Sequence, residues 1–263
     1  MSISTQLTRM ARNVGAITAD TNAIFEALRA KGVTIPQGAT LHDVPFLISI
    51  INGRAPDPEP EDSVLIGGRW YHYVRIGNQL WLDENLDYKF DVNGSTIPIG
   101  SSGSPSTPAA WYYSNDEATY GIDGTYKCGL LYNHYAVEYL DQNKAALLPD
   151  GWRIPSKSDF ETLISTVDGS AIKLKAAPGS ITTNWPLSDW NGTDDYGFTA
   201  LPHGDYTNGF YNLNSYGNYW STTFDFKDYY FNICCSYDSN AVMIGESHRY
   251  SGFGIRLVKN LDD

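Results

Sequence analysis

Leu148-Pro149-Asp150-Gly151-Trp152-Arg153-Ile154-Pro155-Ser156 is the stretch that decides how this chain is read. It ends at a helix start: Ser156 is a natural N-cap, Asp159 favours the first turn, and Pro155 pre-sets the backbone there. Phe160, Leu163, Ile164 and Val167 then share one face, so the spacing predicts an amphipathic helix over 156–167. Trp152, just before it, offers a large apolar surface that belongs in a core.

On either side of this stretch the pattern is mixed. Residues 129–142 also carry a helical pattern. Short β-like runs, Trp70-Tyr71-His72-Tyr73-Val74 and Gln79-Leu80-Trp81-Leu82, are separated by Gly and Asn turns. Residues 93–108 are rich in Gly, Ser and Pro and read as a long surface loop. Strands dominate the remainder, which makes residues 63–263 an α+β domain with about two helices, many short antiparallel strands and long loops.

The texture upstream is different. Ala55-Pro56-Asp57-Pro58-Glu59-Pro60-Glu61-Asp62 can form neither helix nor sheet core, and reads as a semi-rigid linker over 55–62. Before it, Ile3, Leu7, Met10, Val14, Ile17, Ile24, Phe25 and Leu28 recur at helical spacing, and a second short helix could present Val44, Phe46, Leu47, Ile50 and Ile51. Residues 1–54 are therefore expected to be a small helical module for attachment or self-association, since so few residues bury little surface alone.

The chain has 263 residues and a formal charge of −12, which argues against a nucleic-acid partner. No run approaches the roughly 18 apolar residues of a membrane-spanning helix, and the N-terminus lacks the apolar core of a secretory signal. Aromatic residues make up 14% of the chain, with 19 Tyr, against only 18% charged residues. Tyrosine gives a rigid contact face with a polar tip at low entropic cost, so part of this set suits a recognition surface.

The Gly-Trp-Arg-Ile-Pro run at 151–155 resembles the signature of the Fibrobacter succinogenes major paralogous domain, a family with a C-type-lectin-like fold. The resemblance extends through Gly77-Asn78-Gln79-Leu80-Trp81-Leu82-Asp83-Glu84-Asn85-Leu86, Asp195-Tyr196-Gly197-Phe198-Thr199-Ala200-Leu201-Pro202, Tyr219-Trp220-Ser221-Thr222-Thr223 and Gly252-Phe253-Gly254-Ile255-Arg256-Leu257-Val258-Lys259. Spaced from residue 77 to residue 259, these motifs carry the resemblance across nearly all of residues 63–263. They make sense as scaffold: Trp152 and Trp220 supply core surface, and Gly197 and Gly252 relieve crowding.

The same fold is used by the variable proteins of diversity-generating retroelements, whose last strands display residues rewritten by adenine-directed mutagenesis. The window 206–251 is similar in composition: it is made largely of Tyr, Asn, Ser, Phe, Asp, His and Cys, and only Lys227, Glu246 and Arg249 are long and charged. The resemblance implies a ligand-binding face built from Tyr206, Asn208, Tyr211, Asn212, Asn214, Phe224, Asp225, Phe226, Asp228, Tyr230, Asn232, Cys234, Tyr237, His248 and Tyr250. Strand alternation puts Tyr230, Asn232, Cys234 and Ser236 on one face, here expected to be the outer one, and Tyr229, Phe231, Ile233 and Cys235 on the other.

Catalytic and metal chemistry is weakly signalled. The 151–156 segment is also similar to that of formylglycine-generating enzymes, which use copper bound by cysteines, but Cys234 and Cys235 are adjacent and should point apart. Cys128 completes an odd set that suggests neither a disulfide framework nor a zinc site. Asp189-Trp190-Asn191-Gly192-Thr193-Asp194-Asp195 offers oxygen donors suited to calcium, although Asn and Asp also cap turns. The five His residues, at 42, 72, 134, 203 and 248, form no ligand pair.

The expectation is thus a binding protein and not an enzyme, with no cofactor, calcium at the 189–195 loop being the exception kept open. Residues 24–53 are similar to helical segments of phage tail proteins. That likeness implies a virion protein that meets a host cell-surface protein or glycan and contacts other tail proteins through residues 1–54, as a homotrimer. A bacterial cell-surface adhesin or lectin is the first alternative, and an oxidase similar to the formylglycine-generating enzymes the second.

Overall fold

A computed structural model describes residues 21–30, 61–92, 95–102, 105–121, 123–178 and 189–261. The expected helix over 40–51, and nearly all of the 55–62 linker, lie outside the described residues. Within the N-terminal pattern, Thr21–Arg29 forms a helix, α1, with Ile24, Phe25 and Leu28 buried. No helix among the described residues is long and apolar enough to cross a membrane.

The strands form two main sheets. β1 (Ser63–Ile66), β2 (Arg69–Ile76), β3 (Gln79–Leu82) and β13 (Val258–Asn260) make a four-stranded antiparallel sheet, so the last strand returns to the first hairpin. β8 (His203–Tyr206), β9 (Phe210–Leu213), β10 (Tyr216–Phe224), β11 (Tyr229–Ser236) and β12 (Met243–His248) make a second sheet in the order β12-β11-β10-β8-β9. Between them lie two short antiparallel pairs, β4 (Asp91–Val92) with β5 (Ser95–Thr96), and β6 (Ala110–Trp111) with β7 (Leu131–Tyr132). The helices there are α2 (Glu117–Tyr120), α3 (His134–Gln142), α4 (Lys144–Leu147) and α5 (Lys157–Thr166). With few helices and many short antiparallel strands, the fold is α+β.

Three local expectations change. The pattern at 129–142 divides, because Leu131 and Tyr132 pair with β6 before Asn133 caps α3 with its side chain. The loop over 93–108 is not wholly loop: Ser95–Thr96 is a strand, and Ile97 is buried with its N–H on the Phe90 carbonyl (2.9 Å). Pro155 lies outside α5, one residue before the cap, where its carbonyl accepts Thr222 N–H at 2.8 Å.

The start of α5 is strongly built. Ser156 and Asp159 form a reciprocal capping box, and Arg153 grips the Asp159 carboxylate with both terminal guanidinium nitrogens, at 2.5 and 2.8 Å. Asp159→Ala removes the box and leaves Arg153 without this partner, so urea unfolding should show a loss of about 2–4 kcal/mol. Ser156→Ala should lose only about 1 kcal/mol.

The core lies on both sides of β10. Tyr219 faces one cluster, with Trp81, Phe160, Phe198, Ile233 and Cys235. Trp220, the next residue, faces the other, with Tyr132, Trp152 and Phe253. Both tryptophans expected in the core, Trp152 and Trp220, are there. Beyond Trp220 the β10–β11 register shifts, and the irregular residues receive the helices: Ser221 O accepts from His134 Nε2 (2.9 Å), and Thr223 Oγ1 accepts from Lys157 N (2.9 Å). The segments 151–156 and 219–223, far apart in sequence, meet at this irregularity.

Gly252 shows why its site has no side chain. A Cβ there would come within 2.9 Å of Tyr206 Cβ and 3.2 Å of the Trp111 ring. Gly197 combines a left-handed φ of +68° with a Val74 methyl 3.1 Å from where a Cβ would stand.

Candidate binding surface

The β10–β11 hairpin is an 8- to 9-residue pair whose middle is packed on both faces, so it exposes its two ends. At one end, the connection Phe224-Asp225-Phe226-Lys227-Asp228-Tyr229 is exposed throughout. Phe226 is 61% exposed, Phe224 53% and Tyr229 42%. At the other end, the β9 edge and the turns beside it expose Asn208, Tyr211 (54%), Asn212 and Asn214, and Tyr237 (45%) joins them, its N–H on Ser215 O at 2.9 Å. The strand between these ends corresponds to roughly 25 Å.

The expected continuous face is therefore two patches, and three of its residues lie inside. Tyr206 is buried because its ring stacks on Trp111 at 4.1 Å while its main chain pairs with Gly252. Tyr230 is buried because α3 covers it: its ring stacks on His134, and its hydroxyl donates to Glu138. Asn232 is buried and donates to Ser247 Oγ at 3.1 Å. Ser236, also expected outside, is buried and bonded to Asp238, while Cys234 is half-buried. Simple alternation fails here because helices and turns cover both sides of β11. Tyr229 and Phe231, assigned to the inner face, are exposed and half-exposed.

The asparagines have a conformational role as well. Asn208, Asn212 and Asn214 adopt φ of 55°, 60° and 65°, a region that Asn tolerates better than most residues. Asn212 also donates to Asp205 Oδ2 at 2.6 Å. Asp205 is buried, and burial raises its carboxyl above the usual range.

His248 and Tyr250 are half-buried and stack at 4.7 Å, with Tyr229 edge-on to His248 at 5.3 Å. Tyr135 of α3 extends this row, 5.7 Å from Tyr250. Asp225 is exposed, and Asp228 pairs with Arg249 at 3.3 Å. Sequence reasoning missed Tyr135 and Lys157, whose ammonium sits 4.0 Å from the Phe231 ring centre, because both lie on helices remote in sequence. It also passed over Met243 and Ile244, each 40% exposed on the edge strand β12.

The metal-oriented features have structural partners. Cys235 is buried in the Tyr219 cluster while Cys234 lies on the opposite face, so their sulfurs do not converge. Burial pushes both thiols up to about 12. In the 189–195 loop, Asn191 Oδ1 accepts from the Lys175 ammonium at 3.0 Å. Asp194 accepts from Thr199 N and Oγ1, at 2.7 and 2.8 Å. Among the described residues, no group of three or more His, Cys, Asp or Glu could hold a metal ion.

Compared with known families, residues 74–259 match the model of the Fibrobacter succinogenes major domain. Neither a curated protein nor a solved structure matches the chain.

Proposed function

The chain belongs to the Fibrobacter succinogenes major domain family, and from that premise we propose that it is a binding protein whose C-type-lectin-like domain engages a ligand through residues 206–250. One observation carries the reading: large aromatic side chains, Tyr211, Phe224, Phe226, Tyr229 and Tyr237, stand in solvent on a domain that buries most of its other rings. Leaving such area exposed costs the free protein contact energy that a partner can supply.

The scaffold supports the same reading. The exposed rings, unlike the asparagines beside them, sit on turns and strands held by backbone-to-backbone bonds, such as Asp225 N–H to Tyr229 O and Tyr237 N–H to Ser215 O. In this proposal the protein is a phage tail receptor-binding protein diversified by a retroelement. It recognises a host cell-surface protein or glycan, assembles as a homotrimer, and attaches to other tail proteins through residues 1–54. Support for that setting is the Tyr- and Asn-rich composition of the window and the likeness of residues 24–53 to tail segments.

Binding of the full chain to bacterial cells and to a glycan array tests the reading. Combined Tyr211→Ala, Phe226→Ala and Tyr229→Ala should lower binding by at least ~tenfold, as expected when several hot-spot rings are removed. Melting should shift by less than about 3 °C, because exposed sites rarely set stability. Undiminished binding by the triple variant rejects this surface. Tyr230 is unsuited to the test, since its removal opens the core beneath α3.

A further inference from the structure

The aromatic end of the surface is held from behind. Tyr229 N–H bonds the Phe226 carbonyl at 3.0 Å, Asp225 N–H bonds the Tyr229 carbonyl at 3.0 Å, and Lys227 takes a left-handed φ of 54°. Arg249 N–H then reaches the Asp228 carbonyl at 2.8 Å. Its guanidinium spans from the Asp228 carboxylate (3.3 Å) to Glu138 of α3 (2.5 Å). The same cation lies 3.9 Å from the Tyr135 ring centre and 5.8 Å from that of Tyr230. This bracing joins the turn to a helix, although Arg249 itself contributes little exposed surface.

The turn projects two phenyl rings on a braced base. Phenyl has no hydrogen-bonding group with which to orient a sugar. Asp225, Lys227 and Asp228 flank the rings, with the Lys227 ammonium 5.0 Å from the Phe226 ring centre and Asp228 paired with Arg249, so the turn carries no net positive charge to draw it to an anionic lipid surface. A convex, preformed aromatic tip is suited to an apolar hollow, where little ordering entropy remains to be lost. We infer that the 224–229 turn is a knob locked by Arg249, whose Phe224 and Phe226 rings seat in an apolar hollow of a partner protein. This inference rests on the binding function proposed above, and Arg249 acts in it as a positioning residue.

Fluorine NMR of the full chain, with 4-fluorophenylalanine placed at position 226, reads the lock without any ligand. The wild-type resonance should be displaced from the free amino-acid value. Arg249→Gln and Glu138→Gln should each move it toward that value, with Arg249→Lys intermediate; resonances unmoved in both Gln variants overturn the lock.

The partner class is then read with three probes: a displayed library of bacterial genomic protein fragments, a glycan array, and phosphatidylcholine–phosphatidylglycerol vesicles. Support is fragment binding that weakens at least ~tenfold in Phe224→Ser/Phe226→Ser and in Arg249→Gln, and recovers in part in Arg249→Lys. Binding to glycans or vesicles alone overturns the inference, as does fragment binding that ignores Phe224 and Phe226. Fragment binding lost only on changing Tyr211 and Tyr237 overturns it while leaving the proposed function standing. No binding to any probe defeats both.

Discussion

Arg256→Met should destabilise the domain by about 3–5 kcal/mol, the scale for stranding buried polar partners. Arg256 is fully buried. Its Nε donates to Asn85 Oδ1 at 2.7 Å, one terminal nitrogen to the carbonyls of Leu82 (3.1 Å) and Phe198, and the other to Thr199 O at 2.9 Å. The guanidinium also lies 4.7 Å from the Phe198 ring centre and 5.4 Å from that of Tyr219. A buried ion pair can often be replaced by apolar residues at no loss, because both charges leave together. Here the partners are three backbone carbonyls and an amide oxygen, and the carbonyls cannot be mutated away. Arg256→Lys should recover only part of the loss, since one nitrogen cannot span Asn85 on one side and Thr199 on the other. Urea midpoints decide the matter; a Met variant within about 1 kcal/mol of wild type would show that the bonds are not limiting.

Acid should unfold this protein well above the ordinary carboxylate range, because two histidines are buried as neutral rings on opposite sides of β10. His134 lies edge-on to Trp220 at 5.1 Å and bonds Ser221 O; His203 lies edge-on to Tyr219 at 5.1 Å and bonds Gly204 O at 3.0 Å. Burial, followed for His203 by the Arg256 cation, lowers both to about 3; Arg249 adds a smaller push on His134. In the unfolded chain each ring titrates near its ordinary value of about 6.5. Below that pH the unfolded state takes up protons that the folded state refuses, so stability is full above about pH 6.5 and falls toward pH 3. The slope is about 1.4 kcal/mol per pH unit for each ring.

Together the rings remove about 3 kcal/mol between pH 6.5 and pH 5, a large part of a typical domain's stability. Asp194, Asp205 and Glu84, raised by burial, work in the opposite direction as they protonate at lower pH. Melts from pH 8 to 4.5 should therefore be steep for wild type and flatter by about half in His134→Gln or His203→Gln. Equal slopes in all three proteins would mean that the rings titrate freely when folded.

The helix cap at Ser156 and Asp159, the strands at 69–76 and 79–82, and the core placement of Trp152 and Trp220 were all legible in the sequence. Each depends on local chemistry: a side chain meeting its own backbone, or an apolar ring refusing water. The family was legible for a related reason, since the ordered motifs are the segments that converge on β10 and Arg256. Helix 129–142 was only half legible, because Leu131 and Tyr132 are claimed by β6, and nothing local announces a distant strand partner.

Which aromatic rings of residues 206–250 face solvent was decided by tertiary structure. Composition could mark the region as rich in Tyr and Asn, but Tyr206 is inside because Trp111 stacks on it, and Tyr230 because α3 lies over it. Tyr211, Phe224 and Phe226 are outside because they fall on turns and strands that none of the described elements covers. A period of two tells which residues share a face of a strand; whether that face is covered depends on elements up to about a hundred residues away, and only their packing reveals it.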